Sequence, residues 1–98
     1  LRDWWRTAHA KEKRHARDYM CLSAEEGEAE GLLRGVLQSP ARLAVVPMAD
    51  WLGLGKEGRI NTPGTIFRGN WRWRCEADFL TPRLAKHIYM MCNRYGRA

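Results

Sequence analysis

Leu43-Ala44-Val45-Val46-Pro47 is the only convincing strand-like run in the chain, short, continuous and apolar. The absence of polar alternation suits a strand buried on both faces, the pattern of a parallel sheet. One strand cannot satisfy its own backbone hydrogen bonds, so this run needs sheet neighbours that the rest of the sequence does not provide. The expectation is an α/β chain, mostly helical with one buried strand at 43–47, cut from a larger sheet.

Helices are expected on either side. Residues 4–20 contain no Gly or Pro and are rich in Ala, Lys, Arg and Glu, which predicts a helix with Trp4, Ala8, Ala16, Tyr19 and Met20 on its less exposed side. Ser23-Ala24-Glu25-Glu26 reads as a capping box opening a second helix over 24–38, with Leu32, Leu33, Val36 and Leu37 as its apolar stripe. Gly27, Gly31 and Gly35 weaken that helix, and Pro40 ends it. A last helix over 81–95 opens on Thr81-Pro82, carries Leu84, Ile88, Met91 and Tyr95 along one face, and finds its C′ glycine in Gly96.

Between strand and last helix runs a connection, 48–75, far longer than the roughly two to six residues usual in α/β units. Asp50 is expected to cap a short helical turn through Trp51 and Leu52. Further on, Arg59-Ile60-Asn61-Thr62-Pro63-Gly64-Thr65 and Asn70-Trp71-Arg72-Trp73-Arg74 set amide, hydroxyl, indole and guanidinium groups on a Gly/Pro-shaped loop. Pro63 fixes its own φ and biases Thr62 toward extended geometry, and Gly64 suits a tight turn. Asn61, Thr62, Thr65 and Asn70 offer the paired donors and acceptors that match vicinal sugar hydroxyls, while Trp71 and Trp73 offer flat apolar faces. Each of these residues also has a purely structural reading. Arg59 could sit in a buried salt bridge, Asn70 could hold the turn, and Trp71 could pack beneath the loop.

Three segments together carry a family resemblance: Val46 to Gly55, the Arg-x-Asn-Thr-Pro-Gly-Thr stretch from Arg59, and Gly69-Asn70-Trp71-x-Trp73-Arg74. In order, spacing and rare residues they resemble the C-terminal signature of the 4-alpha-glucanotransferases, the amylomaltase or disproportionating-enzyme family. Trp4-Trp5 and Arg17-Asp18-Tyr19 are similar to that family's segment just after its last catalytic motif. The chain departs from the pattern at Ala49, where Gln is usual, and at Asp3, where Gly is usual.

The resemblance implies that residues 1–98 form the C-terminal portion of a TIM (β/α)8 barrel, a fold of about 250 residues. On that reading 48–75 is an active-site loop at the catalytic face. The implied reaction transfers α-1,4-glucan segments between maltodextrins by retaining double displacement, with two carboxyls about 5–5.5 Å apart. The family's nucleophilic Asp, its acid/base Glu and a third, substrate-binding Asp all fall before Leu1, so no catalytic residue is expected here. Asn61, Thr62 and Pro63 are implied substrate contacts, with Arg59, Asn70 and Trp71 beside them. No metal or organic cofactor is implied, and the substrate is an α-1,4-glucan or maltooligosaccharide. A chain starting on Leu1 fits an incomplete sequence, and the isolated piece is expected to be inactive and self-associating.

The alternative class is a non-catalytic binding module for glucan or nucleic acid. Seventeen Lys and Arg against 11 Asp and Glu, a net charge of +6, raise the second possibility. The charges are interleaved, however: Glu12 and Asp18 interrupt the basic residues at 11–17, and four glutamates follow at 25–30. A solvated helix face accounts for them without nucleic acid. Cys21, Cys75 and Cys92 show no metal-ligand spacing, and neither do His9, His15 and His87. These thiols suit a cytoplasmic protein, and no apolar stretch suggests a signal peptide or membrane partner.

Overall fold

His9 divides what composition reads as one helix. In the computed structural model, which describes residues 1–98, α1 spans Arg2–Thr7 and α2 spans Ala10–Met20. Ala8 and His9 between them are extended, with ψ of 148° and 154°. The expected single helix over 4–20 is therefore corrected to two. The cause is local: the Glu12 carboxylate reaches back to accept the His9 N–H at 2.9 Å, so a fresh N-terminus is capped in mid-run.

The second helix also starts later than its sequence signal. Ser23 does act as a cap, its Oγ accepting the Glu26 N–H at 3.2 Å, but it closes only a turn. Gly27, at φ 89°, redirects the chain, and α3 runs from Glu28 to Gln38. Its glycines have a packing use. A Cβ on Gly31 would lie 2.6 Å from Leu22 Cδ2, and one on Gly35 2.4 Å from Met20 Sδ, so both let the end of α2 and its following turn press onto α3. Arg34 fastens the same junction, donating to Glu26 Oε1 at 2.7 Å and to the Met20 carbonyl at 2.8 Å. Its hydrogen bond to Glu26 raises the guanidinium pKa further above its ordinary value.

Residues 43–47 do not form a strand, which corrects the expected buried strand. No backbone hydrogen bonds pair them with another segment of the chain, so no ladder forms. Nor is the run buried: Val46 turns inward against the core, while Leu43 and Val45 are 77% and 78% exposed. Pro47 then leads into α4, Met48–Trp51. Asp50 lies inside α4 and does not cap it; its Oδ1 accepts from the Leu1 nitrogen at 2.7 Å, joining α4 to the start of α1. Short 3₁₀ turns follow at Lys56–Gly58 and Ala77–Phe79.

The last helix, α5, spans Pro82–Arg94, with the Thr81 hydroxyl accepting the Leu84 N–H at 3.1 Å. It ends in a Schellman motif, Arg97 N–H to Cys92 O at 2.8 Å and Gly96 N–H to Asn93 O at 3.1 Å. The Arg97 side chain then crosses to α3, donating to the Ser39 and Ala41 carbonyls at 3.0 and 2.9 Å and also to Leu37 O. The Leu37 carbonyl in the last turn of α3, and two carbonyls of the segment that follows it, thus receive a charged donor. Leu33, Leu37 and Met91 form the core, with Val46, Trp51, Cys92 and Tyr95 packed around it. Only eight of the 98 residues are buried, so loop positions rest on polar links more than on apolar packing.

Candidate functional site

The loop from Arg59 to Arg74 contains no regular secondary structure, and side-chain hydrogen bonds set its shape. Asn70 is the hub. Its Oδ1 accepts the Thr62 N–H at 3.0 Å, and its Nδ2 donates to the Thr65 carbonyl and hydroxyl oxygens, each at 3.3 Å. The Thr65 hydroxyl in turn donates to the Thr62 carbonyl at 2.7 Å. Backbone bonds from Asn70 N–H to Phe67 O and from Trp71 N–H to Ile60 O close the two ends.

A second set of links ties this loop to α1. Arg59 forms an ion pair with Asp3, which also pairs with Arg6 at 3.0 Å. Asp3 is 13% exposed. Partial desolvation alone would raise its pKa, but the hydrogen bond and charge of Arg59, with Arg6 adding to them, outweigh it and hold the carboxyl below its usual range. Glu57, one turn earlier, is also held low, chiefly because Gly55 N–H donates to its Oε1 at 3.0 Å.

Asp3, Arg6, Arg59, Thr62, Phe67 and Asn70 line an open cleft of about 450 Å³, within the size range of small-ligand sites. Of the residues singled out from the sequence, Arg59, Thr62 and Asn70 therefore meet in one place. Asn61 is half-buried, and none of the loop's internal hydrogen bonds uses its side chain. Pro63 is exposed at the turn. Trp71 lies apart, bordering a separate groove with Arg72, Trp73 and Arg74. Being 76% exposed at φ 64°, it does not pack beneath the loop. Asn70 does hold the turn, and Arg59 does form a salt bridge, though a partly exposed one.

Asp3 and Phe67 were not evident as site residues. The signal for Asp3 was its departure from a usual glycine; Phe67 had none, because an apolar residue between Ile66 and Arg68 reads as packing. No cluster of His, Cys, Asp or Glu is placed to hold a metal ion. No helix is long and apolar enough to cross a membrane.

The family model described as 4-alpha-glucanotransferase matches residues 1–81. This chain belongs to that family. It is 41% identical over 98 residues to a 4-alpha-glucanotransferase of Clostridium butyricum, covering 99% of this chain and 20% of that protein. It is 39% identical over 100 residues to the chloroplastic/amyloplastic 4-alpha-glucanotransferase of Solanum tuberosum, covering 99% of this chain and 17% of that one. Its fold matches an amylomaltase from Streptococcus agalactiae, solved in complex with acarbose, at a TM-score of 0.85 and 25% identity. That match covers all of this chain and 21% of the amylomaltase. The chain thus spans about a fifth of the length of these relatives.

Proposed function

We propose that residues 1–98 are the C-terminal part of the (β/α)8 catalytic barrel of a 4-alpha-glucanotransferase, with 48–75 forming one wall of its active site. The observation that carries this reading is the Asn70-centred loop, held beside a polar cleft within a chain of this family. The unpaired segment 43–47 supports it, since its free backbone edges would be completed by neighbouring barrel strands. Left alone, the same edges and the exposed Leu43 and Val45 would promote self-association.

On this reading the whole protein transfers α-1,4-glucan segments between maltodextrins by retaining double displacement, its nucleophile and acid/base lying outside these residues. The loop's task is orientation. The Asn61 amide, unused in the loop's own bonding, is available to sugar hydroxyls, while Thr62 and Pro63 shape the wall beside it. Asn70 fixes the loop, Arg59 adds donors at the cleft, and Trp71 presents an indole on the neighbouring groove. Full-length protein given maltotriose should yield glucose together with longer maltodextrins. Glucose without longer products would mean hydrolysis and would end the transferase reading.

A further inference from the structure

Phe67 is a large apolar side chain on the rim of an otherwise polar cleft, and it remains 64% exposed. Its place is nevertheless defined. A Cβ on Gly69 would lie 2.3 Å from Phe67 Cε1, 3.0 Å from Cδ1 and 3.1 Å from Cζ. One edge of the ring therefore occupies the space that any side chain at 69 would fill, against backbone that Asn70 anchors one residue later through Thr62 and Thr65. The ring thus lies over Gly69, next to the residue that shapes the loop.

An aromatic surface beside convergent polar groups has a matching ligand chemistry. A glucose ring presents C–H groups on its faces and hydroxyls around its edge, so it can cover an aromatic side chain while its hydroxyls reach donors and acceptors at the same level. Phe67 shares the cleft with Arg59 and Thr62, whose guanidinium and hydroxyl supply those polar partners, while the Asn70 amide holds the loop beneath them. Trp71, bordering a different groove, cannot serve this position.

Resting on the glucanotransferase reading above, we infer that Phe67, seated on Gly69, is a stacking platform for one glucosyl unit of the bound α-1,4-glucan. It binds and selects and takes no part in bond making. Gly69 acts as a positioning residue, because a methyl group there would displace the ring.

The test measures maltoheptaose binding by titration calorimetry and maltotriose turnover on the full-length protein and its Phe67→Ala, Phe67→Trp and Gly69→Ala variants. Phe67→Ala is expected to raise the maltoheptaose Kd about tenfold, Phe67→Trp to keep it within about threefold, and Gly69→Ala to follow Phe67→Ala. Circular dichroism and thermal transitions matching the unsubstituted protein would assign the loss to the platform. An unchanged Kd in Phe67→Ala, with glucan binding and disproportionation intact in the unsubstituted protein, would overturn the platform alone. Failure of the unsubstituted protein to bind maltoheptaose or to lengthen maltotriose would overturn the glucanotransferase reading and the platform with it.

Discussion

Replacing Asn70 by alanine removes three hydrogen bonds from one exposed loop: the acceptor for Thr62 N–H and the two donations to Thr65. The two Thr65 contacts come from a single nitrogen at 3.3 Å and are counted together as one. At about 0.5–1.5 kcal/mol net for each remaining bond, the ordered loop loses about 1–3 kcal/mol relative to open conformations. That range corresponds to a shift of about 5- to 150-fold in the closed-to-open ratio. If the closed loop is the form that receives glucan, kcat/KM for maltotriose falls by a similar factor once the open form predominates. Amide exchange offers a readout independent of activity, because Thr62 N–H loses its acceptor and should exchange about tenfold faster or more. Asn70→Asp should retain protection at Thr62, since a carboxylate can still accept there, yet lose the donation to Thr65. Unchanged Thr62 exchange in Asn70→Ala would show that the backbone alone shapes the loop and would refute the assignment of Asn70 as its hub.

Asp3 has a folded pKa below its unfolded value of about 3.9, so its contribution to stability is fully present above that value and is lost as pH falls through the lower folded pKa. A carboxyl-detected NMR titration should place its midpoint below the usual aspartate range, and Asp3→Asn should remove the corresponding acid dependence of the loop's amide shifts. Leu33 is 2% exposed at the centre of the core, and Leu33→Ala should cost about 2–5 kcal/mol in denaturant unfolding of the full-length protein. Arg34→Lys cannot bridge Glu26 and the Met20 carbonyl in one planar fork and should lower stability by about 1–3 kcal/mol, with faster exchange confined to the junction of α2 and α3.

The sequence read most reliably where a signal and its structural consequence are neighbours. Thr81-Pro82 and Gly96 mark the two ends of α5 because caps are local chemistry. The break at His9 is not legible in the sequence, because Glu12 caps through a residue with no usual N-cap identity. The Ser23 signal was real, but Gly27 allowed it to close a turn without starting the helix. At 43–47 the apolar run was legible and its state was not, since a strand exists only with a partner. The site divides in the same way. Asn70 and Arg59 stood out by residue type and motif, but their partners lie up to 56 positions away. The departure from glycine at Asp3 marks the position without naming its partners, and nothing local to Phe67 announces the cleft they share.

The grip of Arg97 on the end of α3 joins positions 60 residues apart, Arg97 to Leu37. On a ribosome adding about 5–20 residues per second, α3 would be complete for about 3–12 seconds before that guanidinium was even synthesised. Through that interval the Leu37 carbonyl lacks the partner it has in the folded chain, although Ser39 already serves Val36. The nascent chain would therefore carry α3 with its last turn open at Leu37, next to the apolar run that follows, and a chaperone that holds unpaired apolar segments would find its opening there.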